Sequence, residues 1–395
     1  MGGLVRALWM TWLVVGCEDL PGAPPPTDRS DTDTDTDSDA DTDSDTDADT
    51  TSVGMQRKVD LGTARSDNGG HVTVEFDLGP NDTSFLLFGA SDEVYLSVDE
   101  VIDPGGARVV RWQDFNGDES LTDSFYPFTK DVAFNWPMRD IDGPLRAGTW
   151  AVKVATTDAD YRYVGSGEFT ANVRIKQDPN FSTADVTARI VYTGGLEGDG
   201  EVVAAIEGAV ERWREIWADH GIALQEYYDT ANTSADLPYP DFNSFDIFDV
   251  SQALTGQEVQ LLVGELVDGD PFTYGIAGGI PGPLDPSTRS AVVVSWLAHA
   301  GQNGSFDADE IRLMGETFAH EIGHYMGLQH PVQMGWNDYD ALDDTDNCGS
   351  SNSCAAALGD NLMYPVSLCG GGYCDPQYKL TNDQEAELHR NAAAL

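Results

Sequence analysis

Three histidines and one glutamate, His320, His324, His330 and Glu321, have the types and spacing to hold a metal ion and activate water. They lie in FDADEIRLMGETFAHEIGHYMGLQH, residues 306–330. In that run Asp307 with Glu310 fits a capping box, and Ile311, Met314, Phe318 and Ile322 recur at helical spacing. On a helix, His320 and His324 project from one face about one turn apart, close enough for both imidazoles to reach one cation. Gly327 accepts the positive φ that ends a helix, so the chain turns back and His330 completes the set. Three neutral imidazoles with one open position suit a catalytic zinc, and a glutamate beside a ligand is placed to take a proton from water. Three of the seven histidines fall within these eleven residues, which argues against unrelated core or surface histidines.

Two kinds of element pattern surround the motif. Short alternating segments fill the stretch from about Met55 to Gln177: HVTVEFDL (71–78), SFLLFGA (84–90), EVYLSV (93–98), ARVVRW (107–112), TWAVKVA (149–155) and EFTANVRI (168–175). Turn signals such as Asp103-Pro104-Gly105-Gly106 separate them, which predicts an all-β sandwich. After Asp178-Pro179 the pattern becomes mixed. TARIVY (187–192), IALQEYY (222–228), VQLLVGEL (259–266) and AVVVSWL (291–297) read as strands, and 201–220 reads as an amphipathic helix. Strands alternating with helices predict an α/β sheet.

Charge separates the N-terminal end from these bodies. The 395 residues carry 68 acidic and 21 basic side chains, a net −47 that excludes nucleic acid as a partner. Ten of the aspartates alternate with Thr, Ser or Ala from Asp31 to Asp49, leaving no apolar face, so 17–54 reads as an extended, self-repelling linker. Before it, Arg6 and the apolar run Ala7–Gly16 are too short to span a bilayer core of about 30 Å but suit a signal peptide over 1–16. Val14-Val15-Gly16-Cys17 resembles the lipobox of bacterial lipoproteins, which implies cleavage before Cys17 and a lipid anchor there, at the outer membrane or cell surface. An ordinary secretory signal with an incidental cysteine is the alternative. In an exported chain the remaining cysteines, Cys348, Cys354, Cys369 and Cys374, read as disulfides. Neighbour pairing is preferred among three connectivities, with a four-cysteine zinc site as the rival.

The run His320 to His330 resembles the extended HExxHxxGxxH signature of the metzincin metalloproteases, and Asn361-Leu362-Met363-Tyr364-Pro365 resembles their Met-turn. The resemblance covers about 185–395. It implies a twisted, mostly parallel sheet with an active-site helix above an irregular C-terminal subdomain, one Zn2+ on His320, His324 and His330, and Glu321 as general base. Met363 would floor the site, and Tyr364 is a candidate for steadying the oxyanion, with packing as its bland role. Tyr followed by Pro is similar to the matrixins. The long insertion between His330 and Met363, with ALDDTDNC (341–348), looks more like the pappalysin group. Within it, Asp338, Asp340, Asp343, Asp344 and Asp346 make a Ca2+ site a further expectation, against an exposed acidic loop. Phe115-Asn116-Gly117-Asp118 matches the FxGD pattern that holds astacin zymogens inactive, against a simple turn.

Together these features predict a multidomain chain: signal peptide 1–16, lipid anchor and linker 17–54, β-sandwich 55–179, and an α+β metzincin-like domain over 180–395. Its expected function is that of an exported, membrane-tethered zinc endopeptidase acting on protein or peptide substrates. The rival is a surface-display binding or adhesion protein whose zinc fold is catalytically idle.

Overall fold

The computed structural model describes residues 56–115, 119–241, 243–301, 305–370 and 373–395. The expected signal peptide, Cys17, the Asp-rich linker and Asp118 fall outside them. In the N-terminal part, strands β1 (Gln56–Arg65), β2 (His71–Leu78), β3 (Ser84–Ala90), β4 (Tyr95–Ile102), β5 (Arg108–Arg111), β6 (Glu119–Ser120), β7 (Asp131–Trp136), β8 (Gly148–Thr157) and β9 (Glu168–Lys176) follow one another. Eight of them form two four-stranded antiparallel sheets, ordered β1-β9-β3-β7 and β2-β8-β4-β5. One face of each sheet meets the other over a shared core that includes Phe76, Phe85, Leu87, Val98, Phe134, Trp150 and Val173. Alternation in β2 follows from that arrangement, with Val74, Phe76 and Leu78 buried and Thr73, Glu75 and Asp77 exposed.

Strands β3 and β7 break the alternation because both their faces are covered. The inner face feeds the shared core, and Leu86 and Ala133 on the other belong to the core of the C-terminal part. This explains why DVAFNW (131–136), buried at every position, carries no period-two signal.

The C-terminal part is mixed. Strand β10 (Ala184–Tyr192) runs through helix α1 (Gly200–Asp219) to β11 (Ile222–Thr230). There follow β12 (Asp236–Leu237), α2 (Phe245–Ser251), β13 (Glu258–Gly264), β14 (Leu266–Val267), β15 (Gly275–Ala277), β16 (Val292–Ser295), α3 (Trp296–His299) and α4 (Ala308–Tyr325). Beyond α4 lie β17 (Tyr339–Asp340), α5 (Ser351–Leu358), β18 (Cys369–Gly370), β19 (Tyr373–Cys374) and α6 (Asn382–Arg390). The main sheet has the order β11-β10-β13-β16-β15; its first four strands are parallel and β15 is antiparallel to β16. Helix α1 buries Ile206, Ala209, Val210, Trp213 and Trp217 against this sheet and α4. Closeness of the two helices depends on Gly315, where a side chain would begin 2.5 Å from the Ala209 carbonyl.

Charged groups tie the two parts together. Arg174 on β9 donates from Nε and Nη2 to both carboxylate oxygens of Asp285, at 3.1 and 3.0 Å, with both side chains 7% exposed. Lys176 Nζ, fully buried, donates to the His389 carbonyl at 2.6 Å, and burial pushes its amine down to about 8. The chain end is also enclosed: Ala392, Ala393 and Ala394 are buried, and Asp185 and Leu395 exchange backbone hydrogen bonds of 2.6 and 2.9 Å.

Candidate metal centre

Helix α4 starts where the capping box predicts. Asp307 Oδ1 accepts from the amides of Asp309 and Glu310 at 2.8 and 2.9 Å, and Glu310 Oε2 accepts from the Asp307 amide at 2.8 Å. It ends at Gly327, whose φ of +124° lets the Leu328 amide return to the Gly323 carbonyl at 3.0 Å. The reversal delivers His330 to the two helix histidines. His330 Nε2 lies 3.2 Å from His320 Nε2 and 3.0 Å from His324 Nε2. Ligand nitrogens about 2.0–2.1 Å from a tetrahedral zinc are themselves about 3.3 Å apart, so the triad is already close to that spacing.

Each ring is oriented from behind. His320 Nδ1–H donates to the Leu362 carbonyl and His324 Nδ1–H to the Leu328 carbonyl, both at 2.6 Å, while His330 Nδ1–H donates to Gln333 Oε1 at 3.2 Å. Since these partners only accept, the proton sits on Nδ1 and the Nε2 lone pair points inward. Burial pushes His320 down to about 4 and, with mutual repulsion, drives His324 and His330 well below the usual range. At neutral pH the set is three uncharged imidazoles, a donor set that fits zinc and can hold a metal ion; among the described residues no other group of three His, Cys, Asp or Glu does so.

Glu321 is 1% exposed and turns toward β15. A side chain at Gly275 would begin 2.9 Å from Glu321 Cγ, so only glycine leaves room there, and the Ala277 amide hydrogen-bonds the carboxylate. Burial pushes its carboxyl up to about 8, and a cation on the adjacent histidines would draw it back down. β15 is also the free edge of the main sheet among the described residues. The flanking Tyr274 carbonyl and Gly278 amide pair with Ser295 N and Ala291 O, so by ladder alternation the backbone groups of Gly275 and Ala277 point away from β16, toward the open edge.

Below the triad, Met363 is fully buried, and its Sδ would lie 2.8 Å from a side chain at Gly323, which explains the glycine inside the motif. The Met363 amide donates to Asn361 Oδ1 at 2.8 Å, and this tight turn presents the Leu362 carbonyl to His320. Tyr364 is 1% exposed, stacks on Trp336 at 6.1 Å, and its hydroxyl has no hydrogen-bond partner. It lines a shallow cavity beside His320 together with Thr317, Leu362, Ser367 and Gln377.

Both neighbour disulfides form, Cys348–Cys354 and Cys369–Cys374. The calcium expectation gains no support from the five aspartates. Asp340 is buried and accepts from Thr345 Oγ1 and the Leu342 amide, Asp344 accepts from the Asp383 amide, and no three of the five aspartates converge. Asp114, near the FxGD segment, is paired with Arg111 at 2.6 Å.

Sequence reasoning missed Gln333, Gly275 and Ala277. A glutamine three residues past the last histidine is a usable signal for a ligand-orienting partner, whereas Gly-Ile-Ala carries no strand pattern.

Residues 203–331 match the reprolysin-like metallo-peptidase family M12B. The matched stretch includes all three histidines and Glu321, which is consistent with a metzincin-like zinc protease. Solved structures similar to it include metalloproteinase-II from Bacteroides fragilis, at 15% identity and TM-score 0.27, covering 51% of this chain and 60% of that one. Another is the infectious bursal disease virus VP2 subviral particle, at 13% identity and TM-score 0.20, covering 31% of this chain and 32% of that one. The chain spans less than two thirds of either, and scores this low carry no argument. No curated protein matches the sequence.

Proposed function

We propose that this chain is a zinc-dependent endopeptidase, carried outside the cell and tethered by lipid on Cys17 and the acidic linker, with the paired sheets as an accessory sandwich before a catalytic domain from about residue 180. The observation that carries the catalytic reading is the convergence of three oriented imidazoles beside a buried carboxylate and an open strand edge. A zinc ion bound there would supply a Lewis acid for the substrate carbonyl and lower the pKa of a water from about 15.7 to about 7.

The protein's own groups do the rest. The Gly275 amide and the carbonyls of Gly275 and Ala277 point away from β16, and an extended peptide can lie on them as an added strand, which fixes the scissile bond beside Glu321, itself held by the Ala277 amide. Glu321 takes the proton from the attacking water and returns it to the leaving amine. Tyr364 can support the developing oxyanion only if its hydroxyl turns toward the cleft, and packing on Trp336 is its resting role.

Glu321→Gln should keep one equivalent of zinc and lose peptide turnover by about a hundredfold or more. Undiminished turnover would reject the mechanism, and a zinc-loaded native chain inactive on a broad peptide panel would leave the idle adhesion module as the better reading. Fatty-acid labelling that is equal in Cys17→Ser would reject the anchor.

A further inference from the structure

The N-terminal sheets are not remote from the cleft. Strand β6 pairs in parallel with β17, Glu119 opposite Tyr339 and Ser120 opposite Asp340, inside the insertion that follows His330. Two residues later the same loop reaches the other rim. Thr122 Oγ1 donates to the Ile280 carbonyl at 2.7 Å and the Asp123 amide donates to it at 3.0 Å. From Ser120 to Asp123 the loop therefore bridges the insertion below the cleft and the chain leaving β15 above it. It also occupies the Ile280 carbonyl, so a substrate strand continuing along this edge meets the loop there.

Direction follows from pairing. A peptide added to β15 in the antiparallel sense, the more stable one, runs with its N-terminal side toward Ile280. Two residues, Gly278 and Gly279, separate Ala277 from Ile280, and because the chain bends at Gly278 the path is at most about 10 Å at about 3.3 Å per residue. Only about two or three substrate residues fit between the bond opposite Glu321 and the loop. At that end stands Asp123, half-buried, with the Gln329 amide as its polar neighbour and Arg289 nearby. Arg289 is engaged elsewhere, by Thr129 Oγ1 at 2.8 Å, Asp131 and the Gly278 carbonyl. Burial raises the Asp123 carboxyl to about 6, which leaves it largely ionised at neutral pH without a dedicated counter-charge. A substrate ammonium supplies one, whereas a peptide laid in the opposite sense would bring its own carboxylate against Asp123.

We propose that the loop Ser120–Asp123 closes the cleft on the N-terminal side of the substrate and that Asp123 binds the free α-amino group, so that cleavage falls about two or three residues from a peptide's N-terminus. This rests on the peptidase reading above and narrows it to substrates with an unblocked amino end.

The test uses the zinc-loaded full chain and two peptides of identical sequence about twelve residues long, one with a free α-amine and one N-acetylated, with products identified by mass spectrometry. The free peptide should be cut after its second or third residue, and acetylation should lower kcat/KM by about ten- to a hundredfold, the loss of a hydrogen-bonded charge pair. In Asp123→Asn the ratio between the two peptides should fall toward one. Equal kcat/KM for both, or cuts scattered along the chain, would overturn the proposal. The acetylation contrast is read on the unaltered protein, so it stands even where Asp123→Asn does not fold. Cleavage of neither peptide would overturn the peptidase reading itself, and this one with it.

Discussion

Replacing Asp285 by Ala asks whether the N-terminal sheets and the metal-bearing part unfold as one body. Asp285 is 5% exposed and holds both ends of the Arg174 guanidinium, 111 positions away in sequence. Its loss strands a buried charge whose remaining partner is Gln56 Oε1 at 3.2 Å. Breaking a buried pair from one side costs about 3–5 kcal/mol, against about 1 or less for an exposed one. With an unfolding entropy of about 2.1 cal/mol/K per residue over about 330 folded residues, that is a fall of roughly 4–7 °C in Tm. Scanning calorimetry should show a single transition moved by that amount. Arg174→Met combined with Asp285→Leu, which removes both charges, should recover most of it. A shift below about 1 °C, or two transitions of which one moves, would refute the idea that these parts share a core.

Two further outcomes follow from the site and its supports. Asp340, pushed up to about 7 by burial against a usual value near 3.8, binds a proton in the folded chain that the unfolded chain releases between about pH 4 and 7, so its contribution is complete below that window and lost as pH rises through it. Three pKa units set a ceiling of about 4 kcal/mol. The Tm difference between native chain and Asp340→Asn should change between pH 5.5 and 7.5 in that sense, and a parallel pair of profiles would reject it. Gln333→Ala removes the acceptor that orients His330 and should weaken zinc binding about ten- to a hundredfold in a chelator competition. An unchanged affinity would mean that the ring is held by its packing alone.

What the sequence disclosed was local. The capping box, the helix from Ala308, the turn at Gly327 and the approach of His330 follow from spacing within 25 residues, and each is present. Most expected strands of the N-terminal part were found to within a few residues, because one face of each is solvated and the pattern alternates. Strand β7 was missed where both faces are buried, and β1 was missed because QRKVDLGTAR is a polar edge strand with a register shift between Asp60 and Gly62. The open edge of the main sheet was illegible, since three residues, Gly275 to Ala277, take their conformation from β16 and from the lack of room beside Glu321. Contacts such as Thr122 with Ile280 span 158 positions, and no local propensity encodes them.

The Asn391 side chain donates to the Met326 carbonyl at 2.8 Å, bracing the turn that sends His330 back, and it lies 65 positions further along the chain. A polypeptide emerging from the ribosome exposes the histidines well before this brace exists. Assembly of the centre is therefore vectorially delayed: until residues 391–395 have followed, the turn lacks its brace and the core its last three alanines.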